Sequence, residues 1–212
     1  MGSILDRIVP MLLTLPGILI AISIHEYGHA LAAYKMGDNT AQAQGRLTLN
    51  PIKHLDPIGF LCLLIFRFGW AKPVPVNPRN FSNPRRDDII VSLAGVGMNL
   101  ITAIVFIIIM KISLQTGFLY NIGYTGQILY TMLYGGAYIN IGLMVFNLIP
   151  IPPLDGHHVV QDIVGFKAVK FYHEYAQYIR VGLIILLFTG FLGRFIVPLI
   201  SGIYGFLFNI IM

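Results

Sequence analysis

Four long apolar stretches dominate the sequence and restrict what the chain can fold into. A transmembrane helix needs about 20 mostly apolar residues. Each stretch meets that length, and together they leave little room for a water-soluble domain. The stretches cover residues 8–36, 89–112, 127–149 and 178–212.

The last stretch is too long for one straight span, so we expect it to be kinked or split into two helices. It is interrupted at Gly190, Gly193, Arg194 and Pro198. Only 11% of the residues are charged, whereas soluble domains are nearer a quarter charged. The sequence therefore predicts an α-helical polytopic membrane protein with about four main transmembrane segments.

The segment 37–84, between the first two spans, has a different pattern. Its apolar run 60–68 is too short to span a bilayer and is flanked by glycine, proline and asparagine. Such runs favour extended strands or a re-entrant hairpin. Extended backbone at membrane depth must be buried in protein or line a polar cavity. We therefore expect a membrane-associated β-hairpin in this segment, forming one wall of a wet site.

The positions of the basic residues predict the orientation of the chain. Of the 14 lysines and arginines, eight fall between Lys35 and Arg86, and three more lie near the loop after the third span. Cytoplasmic loops are enriched in Lys and Arg. The segments 37–86 and 156–178 are thus expected to be cytoplasmic, which places the N-terminus and the loop 113–126 outside.

The pentad His25-Glu26-Tyr27-Gly28-His29 near the end of the first stretch points to metal chemistry. Histidines four residues apart lie on one helix face, so both imidazoles can bind one Zn²⁺, and the intervening Glu26 can act as a base. Two buried histidines bonded to neighbours would be the structural alternative. Ionisable residues in a lipid-embedded helix are expensive and usually functional, which favours metal binding.

A catalytic zinc needs a third protein ligand, and Asp155 is the acid best placed to supply it. It follows the third span, where Pro150, Pro152 and Pro153 break the helix. Both Asp155 and His29 are predicted at the cytoplasmic ends of their spans. The alternative role for Asp155 is the N-cap of a following helix.

Three separated motifs together resemble the site-2 protease family of intramembrane zinc metalloproteases. The pentad matches its first motif. Asn147-Leu-Ile-Pro150 through Leu154-Asp155-Gly156 matches its N-x-x-P…L-D-G motif. Ser92-Leu-Ala-Gly95-Val-Gly-Met-Asn99 resembles its small-residue motif ending in Asn.

This resemblance implies one Zn²⁺ per chain, held by His25, His29 and Asp155, with Glu26 as general base. It implies cleavage of membrane-anchored proteins or peptides within or near the bilayer, as in regulated intramembrane proteolysis. It also implies a hairpin within 37–84. The chain looks like a compact bacterial-type member without PDZ or CBS domain, in the cytoplasmic membrane, with its active site toward the cytoplasm.

The expected organisation is a single domain with two parts. Residues 1–158 form the catalytic membrane core, including the re-entrant or β segment 37–84. Residues 159–212 form a cytoplasmic loop and the C-terminal transmembrane segment or segments.

Several further residues are candidates for roles around the metal. Asn99 and Asn147 are possible oxyanion donors, although either could simply join helices by hydrogen bonds. Substrate is expected to bind as an added strand along the hairpin. His54 is a possible second-shell partner of the metal or a solvated loop residue. The residues expected to touch substrate are Phe60, Trp70 and Val74.

Two other functions fit parts of the pattern. One is a non-proteolytic membrane protein that binds or transports metal, although Glu26 has no purpose there. The other is a zinc hydrolase acting on a lipid or small amide. The net charge of +5 is assigned to topology, and we expect no nucleic-acid partner. The expected partners are the bilayer and a membrane-anchored substrate, whereas the oligomeric state is not predicted.

Overall fold

The computed structural model describes residues 4–66 and 69–212, and most of them are helical. The ten α-helices of this part are α1 Ile4–Lys35, α2 Thr40–Ala43, α3 Pro51–His54, α4 Pro57–Phe66, α5 Pro84–Gln115, α6 Phe118–Asn121, α7 Tyr124–Asn147, α8 Asp155–Val164, α9 Phe166–Phe188 and α10 Phe191–Ile211. A short 3-10 helix covers Pro78–Asn80.

Four of these helices are long and apolar enough to cross a membrane, which confirms the predicted number of main spans. They are Val9–Lys35 within α1, and α5, α7 and α10. The start of α5 is set by an N-cap and a proline. The Asn83 side chain accepts a hydrogen bond from the Arg86 backbone N–H, and Pro84 occupies the first helical position.

α1, α5 and α7 pack against one another and form the centre of the molecule. Small residues let α1 and α7 approach closely, as is common between membrane helices. A Cβ added at Gly17 would lie 2.9 Å from the Gly136 Cα. α10 packs against α7 and α5, where Ile200 and Tyr204 join a core that includes Ile107 and Ile141.

The fourth apolar stretch is split into two helices rather than kinked. α9 ends at Phe188 and α10 begins at Phe191, and the turn between them uses Gly190 with φ of 69°. Glycine adopts this left-handed conformation without steric penalty. Of the two, only α10 is long and apolar enough to count as a span among the described residues.

The β-hairpin predicted in 37–84 is not found in the described residues, and a helix takes its place. Within the described residues of this segment, Pro57–Phe66 is helical and the only strand-like contact is an isolated bridge between Leu55 and Ala71. Asp56 caps α4 by accepting a hydrogen bond from the Gly59 N–H at 2.8 Å. A helix pairs its own backbone groups, whereas a hairpin at membrane depth needs outside partners for its edges.

Candidate metal centre

His25 and His29 lie one turn apart on α1 and turn their rings toward the same point. Their Nε2 atoms are 3.0 Å apart, and both residues are buried. The pentad spacing accounts for this directly, since residues four apart share a helix face.

Asp155 reaches the same point from the first residue of α8. Its Oδ2 lies 3.2 Å from Nε2 of His25 and 3.4 Å from Nε2 of His29. The chain leaves α7 after Asn147 and doubles back so tightly that a Cβ at Gly156 would collide with the Leu148 carbonyl oxygen. A glycine after Asp155 is therefore required for this carboxylate to reach the histidines.

Hydrogen bonds on the far side of each ring set which nitrogen carries the proton. Nδ1 of His25 lies 2.7 Å from Oδ1 of Asn99, and Nδ1 of His29 lies 2.8 Å from the Val91 carbonyl oxygen. Both partners are acceptors, so each Nδ1 is assigned as the donor. Each Nε2 then presents a lone pair, as a metal ligand does.

This arrangement fits a bound cation. Three acceptor atoms, from His25, His29 and Asp155, converge within 3.4 Å of one another, and Oδ2 of Asp155 is buried without a hydrogen-bond partner among the described residues. Tetrahedral zinc with ligands at about 2.05 Å separates them by about 3.3 Å. The three residues are the only group of this kind in the described chain.

Asn99 holds the His25 ring and is itself held by neighbouring helices. Its Nδ2 donates to the Ala21 carbonyl oxygen at 3.1 Å and to Oδ1 of Asn140 at 3.0 Å. These bonds fix the amide so that Oδ1 faces His25. Because the N–H groups of Asn99 already have acceptors, this geometry favours a ring-orienting role over the predicted oxyanion role.

Gly95 brings α5 directly against the rings of the two candidate ligands, His25 and His29. An added Cβ would lie 2.5 Å from Nε2 of His29 and 2.8 Å from Cε1 of His25. Any larger residue would push the two imidazoles out of this arrangement.

Glu26 lies beside the histidines, and its carboxylate faces a loop rather than another helix. Its Oε2 accepts a hydrogen bond from the Val74 backbone N–H at 2.8 Å. Only 8% of Glu26 is exposed. Glu26, the general base expected from the pentad, thus lies next to the candidate metal ligands, and the Val74 contact fixes the orientation of its carboxylate.

A cavity of about 520 Å³ opens onto His25 and Glu26. Most of its wall is apolar, and part of it comes from α9, through Leu183 and Leu187. Asn147 also lines the cavity, and its Nδ2 donates to the Leu143 carbonyl oxygen at 3.1 Å. Part of the cavity wall therefore comes from residues beyond 158, the expected end of the catalytic membrane core.

The residues predicted to touch substrate take three different places. Trp70 lines this cavity and a neighbouring one of about 400 Å³, which Phe60 also lines. Val74 contacts Glu26 instead. His54 is fully buried, and its Nε2 lies 2.7 Å from the Thr48 carbonyl oxygen, so none of its described contacts is with a metal ligand.

Sequence reasoning missed three contributors to the site: the Val91 carbonyl, the contact of Gly95 with the rings, and the α9 wall. The first is a main-chain group, which sequence does not distinguish from any other. Gly95 lies in the small-residue motif of α5, but a glycine in such a motif gives no sign of which side chains it will contact. α9 carried no local signal, because only the tertiary fold brings Leu183 near Glu26.

Comparison with known proteins gives a consistent result. The sequence profile of peptidase family M50 matches residues 13–189. The putative zinc metalloprotease YwhC of Bacillus subtilis (strain 168) is 43% identical over 148 residues, which is 69% of this chain and 67% of YwhC. No solved structure gives a significant match.

More distant relatives cover more of the chain. The putative zinc metalloprotease Rip2 of Mycolicibacterium smegmatis is 27% identical over 202 residues, 92% of this chain and 74% of that protein. Rip2 of Mycobacterium tuberculosis (strain H37Rv) is 26% identical over 200 residues, 90% of this chain and 69% of that protein. The chain therefore belongs to peptidase family M50, the site-2 protease family of zinc metalloproteases.

Proposed function

We propose that the protein is an intramembrane endopeptidase that holds one Zn²⁺ at His25, His29 and Asp155 and cleaves membrane-anchored proteins or peptides. The observation that carries this proposal is a group of two buried histidines and a half-buried aspartate with Glu26 beside it, opening onto an apolar cavity among membrane-length helices. The relatives' names supply the choice of zinc. Regulated intramembrane proteolysis is the corresponding biological role.

The chemistry divides between the metal and the protein. A zinc ion at these ligands would polarise the scissile carbonyl and lower the pKa of the attacking water. Glu26 takes the proton from that water and returns it to the leaving nitrogen. His25 and His29 are kept in the ligating tautomer by Asn99 and the Val91 carbonyl. Asn147 is the better candidate oxyanion donor, since it lines the cavity with Glu26.

The cavity indicates what kind of substrate fits. Its wall is mostly apolar, with Leu143, Phe146 and Leu183 near the ligands, so a segment with large apolar side chains would bury them there. The segment must be extended at the cut, because a helix shields its own carbonyls. Strand addition along 69–77 is restricted, since Pro73 and Pro75 offer no N–H.

The proposed orientation follows the basic loops. α1 and α7 end at Lys35 and Asn147, and the basic segment 37–86 follows the first of these ends. By the positive-inside rule this side is cytoplasmic. We propose a multi-pass protein of the bacterial cytoplasmic membrane whose active site faces the cytoplasm.

The decisive experiment compares Glu26→Gln with Glu174→Gln, the chain's other glutamate, which is exposed on α9. Purified wild type and both variants are reconstituted with a panel of labelled single-span peptides, and zinc content is measured alongside. We expect wild type and Glu174→Gln to cleave, and Glu26→Gln to keep its zinc but lose cleavage.

Other results would favour the alternative functions. Cleavage by Glu26→Gln would refute the mechanism, and protein purified without zinc would refute the site. Zinc in the wild type without cleavage of any peptide would favour a transport protein. Hydrolysis of lipids or small amides alone would favour the third function.

A further inference from the structure

An extended segment, Trp70–Asn77, crosses in front of Glu26, and we call it the strap. Its central contact with the active site is the 2.8 Å hydrogen bond from the Val74 N–H to Oε2 of Glu26. The two residues are 48 positions apart in sequence, so this contact exists only because the strap is held in place. It fixes one oxygen of the carboxylate and leaves Oε1 to exchange protons.

The strap sequence makes Val74 the single available donor at this point. Pro73 and Pro75 flank it, and proline carries no N–H. A residue before proline is also restricted to extended conformations, so Pro75 limits the freedom of Val74. The sequence Pro-Val-Pro thus presents one N–H on a stiff backbone.

Hydrogen bonds anchor the strap on the N-terminal side of Val74. The Lys72 N–H donates to the His54 carbonyl oxygen at 2.8 Å, and Nη2 of Arg46 donates to the Lys72 carbonyl oxygen at 2.6 Å. Both anchoring residues are buried. This end of the strap is therefore tied to the interior of the segment that precedes it.

Asp38 anchors the other side. Its fully buried carboxylate accepts from the Asn77 N–H at 2.8 Å and from Nδ2 of Asn80 at 2.7 Å, as well as from Thr40. Burial alone would raise the pKa of Asp38, but these hydrogen bonds outweigh it and lower that pKa. Hydrogen bonds to an ionised carboxylate are stronger than those between neutral groups, so Asp38 holds this end of the strap firmly in place.

With anchors on both sides, the strap is a fixed part of the active site and not a lid. We propose that the Val74 N–H is a positioning group that orients the Glu26 carboxylate for proton transfer. This inference rests on the proposed function. Val74 acts through its backbone, and its side chain is dispensable for this purpose.

Two changes remove the donor, and one control keeps it. Replacing the Val74 amide by an ester, with the α-hydroxy acid of valine, deletes the N–H with little change in shape; Val74→Pro deletes it genetically. Val74→Ala retains it. We expect the first two to lower kcat about 10- to 100-fold, the range for a hydrogen bond to a charged group, with KM changed less than about twofold and zinc content unchanged. Val74→Ala, which keeps the N–H, should lower kcat by clearly less than the ester form does.

A second readout does not depend on activity. The chain has two glutamates, so a Glu174→Gln background leaves Glu26 as the only one. Labelling glutamate with ¹³C at the carboxylate then isolates the Glu26 infrared band. We expect the carboxylate stretch to shift in the ester and proline forms and to stay in place with Val74→Ala.

Each result bears on the proposal. An unshifted band in the ester form would overturn the contact, and a shifted band with unchanged kcat would overturn its role in positioning. Loss of kcat in Val74→Ala equal to that in the ester would assign the effect to side-chain packing and also overturn it. Wild type that cleaves no peptide would instead refute the proposed function, while the band would still decide whether the contact exists.

Discussion

Gly95 offers a sharp test of the metal centre, because one added methyl group should disturb both histidine ligands. In Gly95→Ala, the new Cβ would lie 2.5 Å from Nε2 of His29 and 2.8 Å from Cε1 of His25. Ordinary contacts begin near 3.4 Å, so the His29 ring must retreat by about 0.9 Å and the His25 ring by about 0.6 Å.

Movements of this size exceed what the site tolerates. Metal–ligand distances hold within about 0.2 Å. The bond from His29 to the Val91 carbonyl oxygen, now 2.8 Å, would stretch to about 3.7 Å and be lost, and the 2.7 Å bond from His25 to Asn99 would lengthen to about 3.3 Å and weaken. Loss of one such orienting contact lowers metal affinity about 10-fold or more. With both rings displaced, we expect zinc affinity to fall about 100-fold or more.

The matched control is Gly97→Ala on the same helix, where nothing lies within 4 Å of the added Cβ. Both substitutions gain the same helix propensity, about 1 kcal/mol, so a difference between them reports the contact with the rings. Zinc affinity is measured on detergent-purified protein by competition with chelators of known affinity. Equal affinities in the two variants would refute the reasoning.

Two further predictions follow. Asn99→Ala should lower zinc affinity about 10- to 100-fold, because the His25 Nδ1–H loses its acceptor. Asn147→Ala should keep zinc and lower kcat. Chelator competition measures the first effect and peptide cleavage the second, and the opposite pattern would exchange the roles assigned to the two asparagines. Burial and the Asp88 carboxylate raise the pKa of Asp162 to about 6, against the opposing effects of His158 and Arg85. The stability from its bound proton is therefore complete below about pH 4 and lost as the pH rises through 6. Asp162→Asn should then raise the melting temperature at pH 7 to 8 and leave it less dependent on pH. Melting temperatures of both proteins between about pH 4 and 8 test this, and equal pH dependence would refute it.

Features set by local spacing or by the bilayer could be read from the sequence. The pentad needs only helical periodicity to bring His25 and His29 together, and the spans need only sufficient apolar length. Asp155 was identified because three prolines end the preceding helix, so a carboxylate at that point had to lie near a membrane boundary. The structure brings these three residues within 3.4 Å of one another.

Features set by tertiary contacts could not be read in this way. The run 60–68 contains mostly residues that suit either a helix or a strand, and the Asp56 cap at Pro57 favours the helix. Asn99 was recognised as important, but its donor and acceptor directions depend on Ala21 and Asn140, which lie on other helices. The Val74 contact with Glu26 depends on anchors at Asp38 and Lys72, and no spacing rule predicts such a pairing.

The hydrogen bond between Asn99 and Asn140 also has a consequence for how the protein is made. It joins α5 to α7, and through Ala21 it reaches α1. The pentad is translated first, yet the amide that holds its first histidine acquires its full set of partners only after α7 has been inserted. Ordering of the His25 ring is therefore a late event in biogenesis, and a nascent chain ending before α7 carries the metal-binding motif without the geometry that makes it a site.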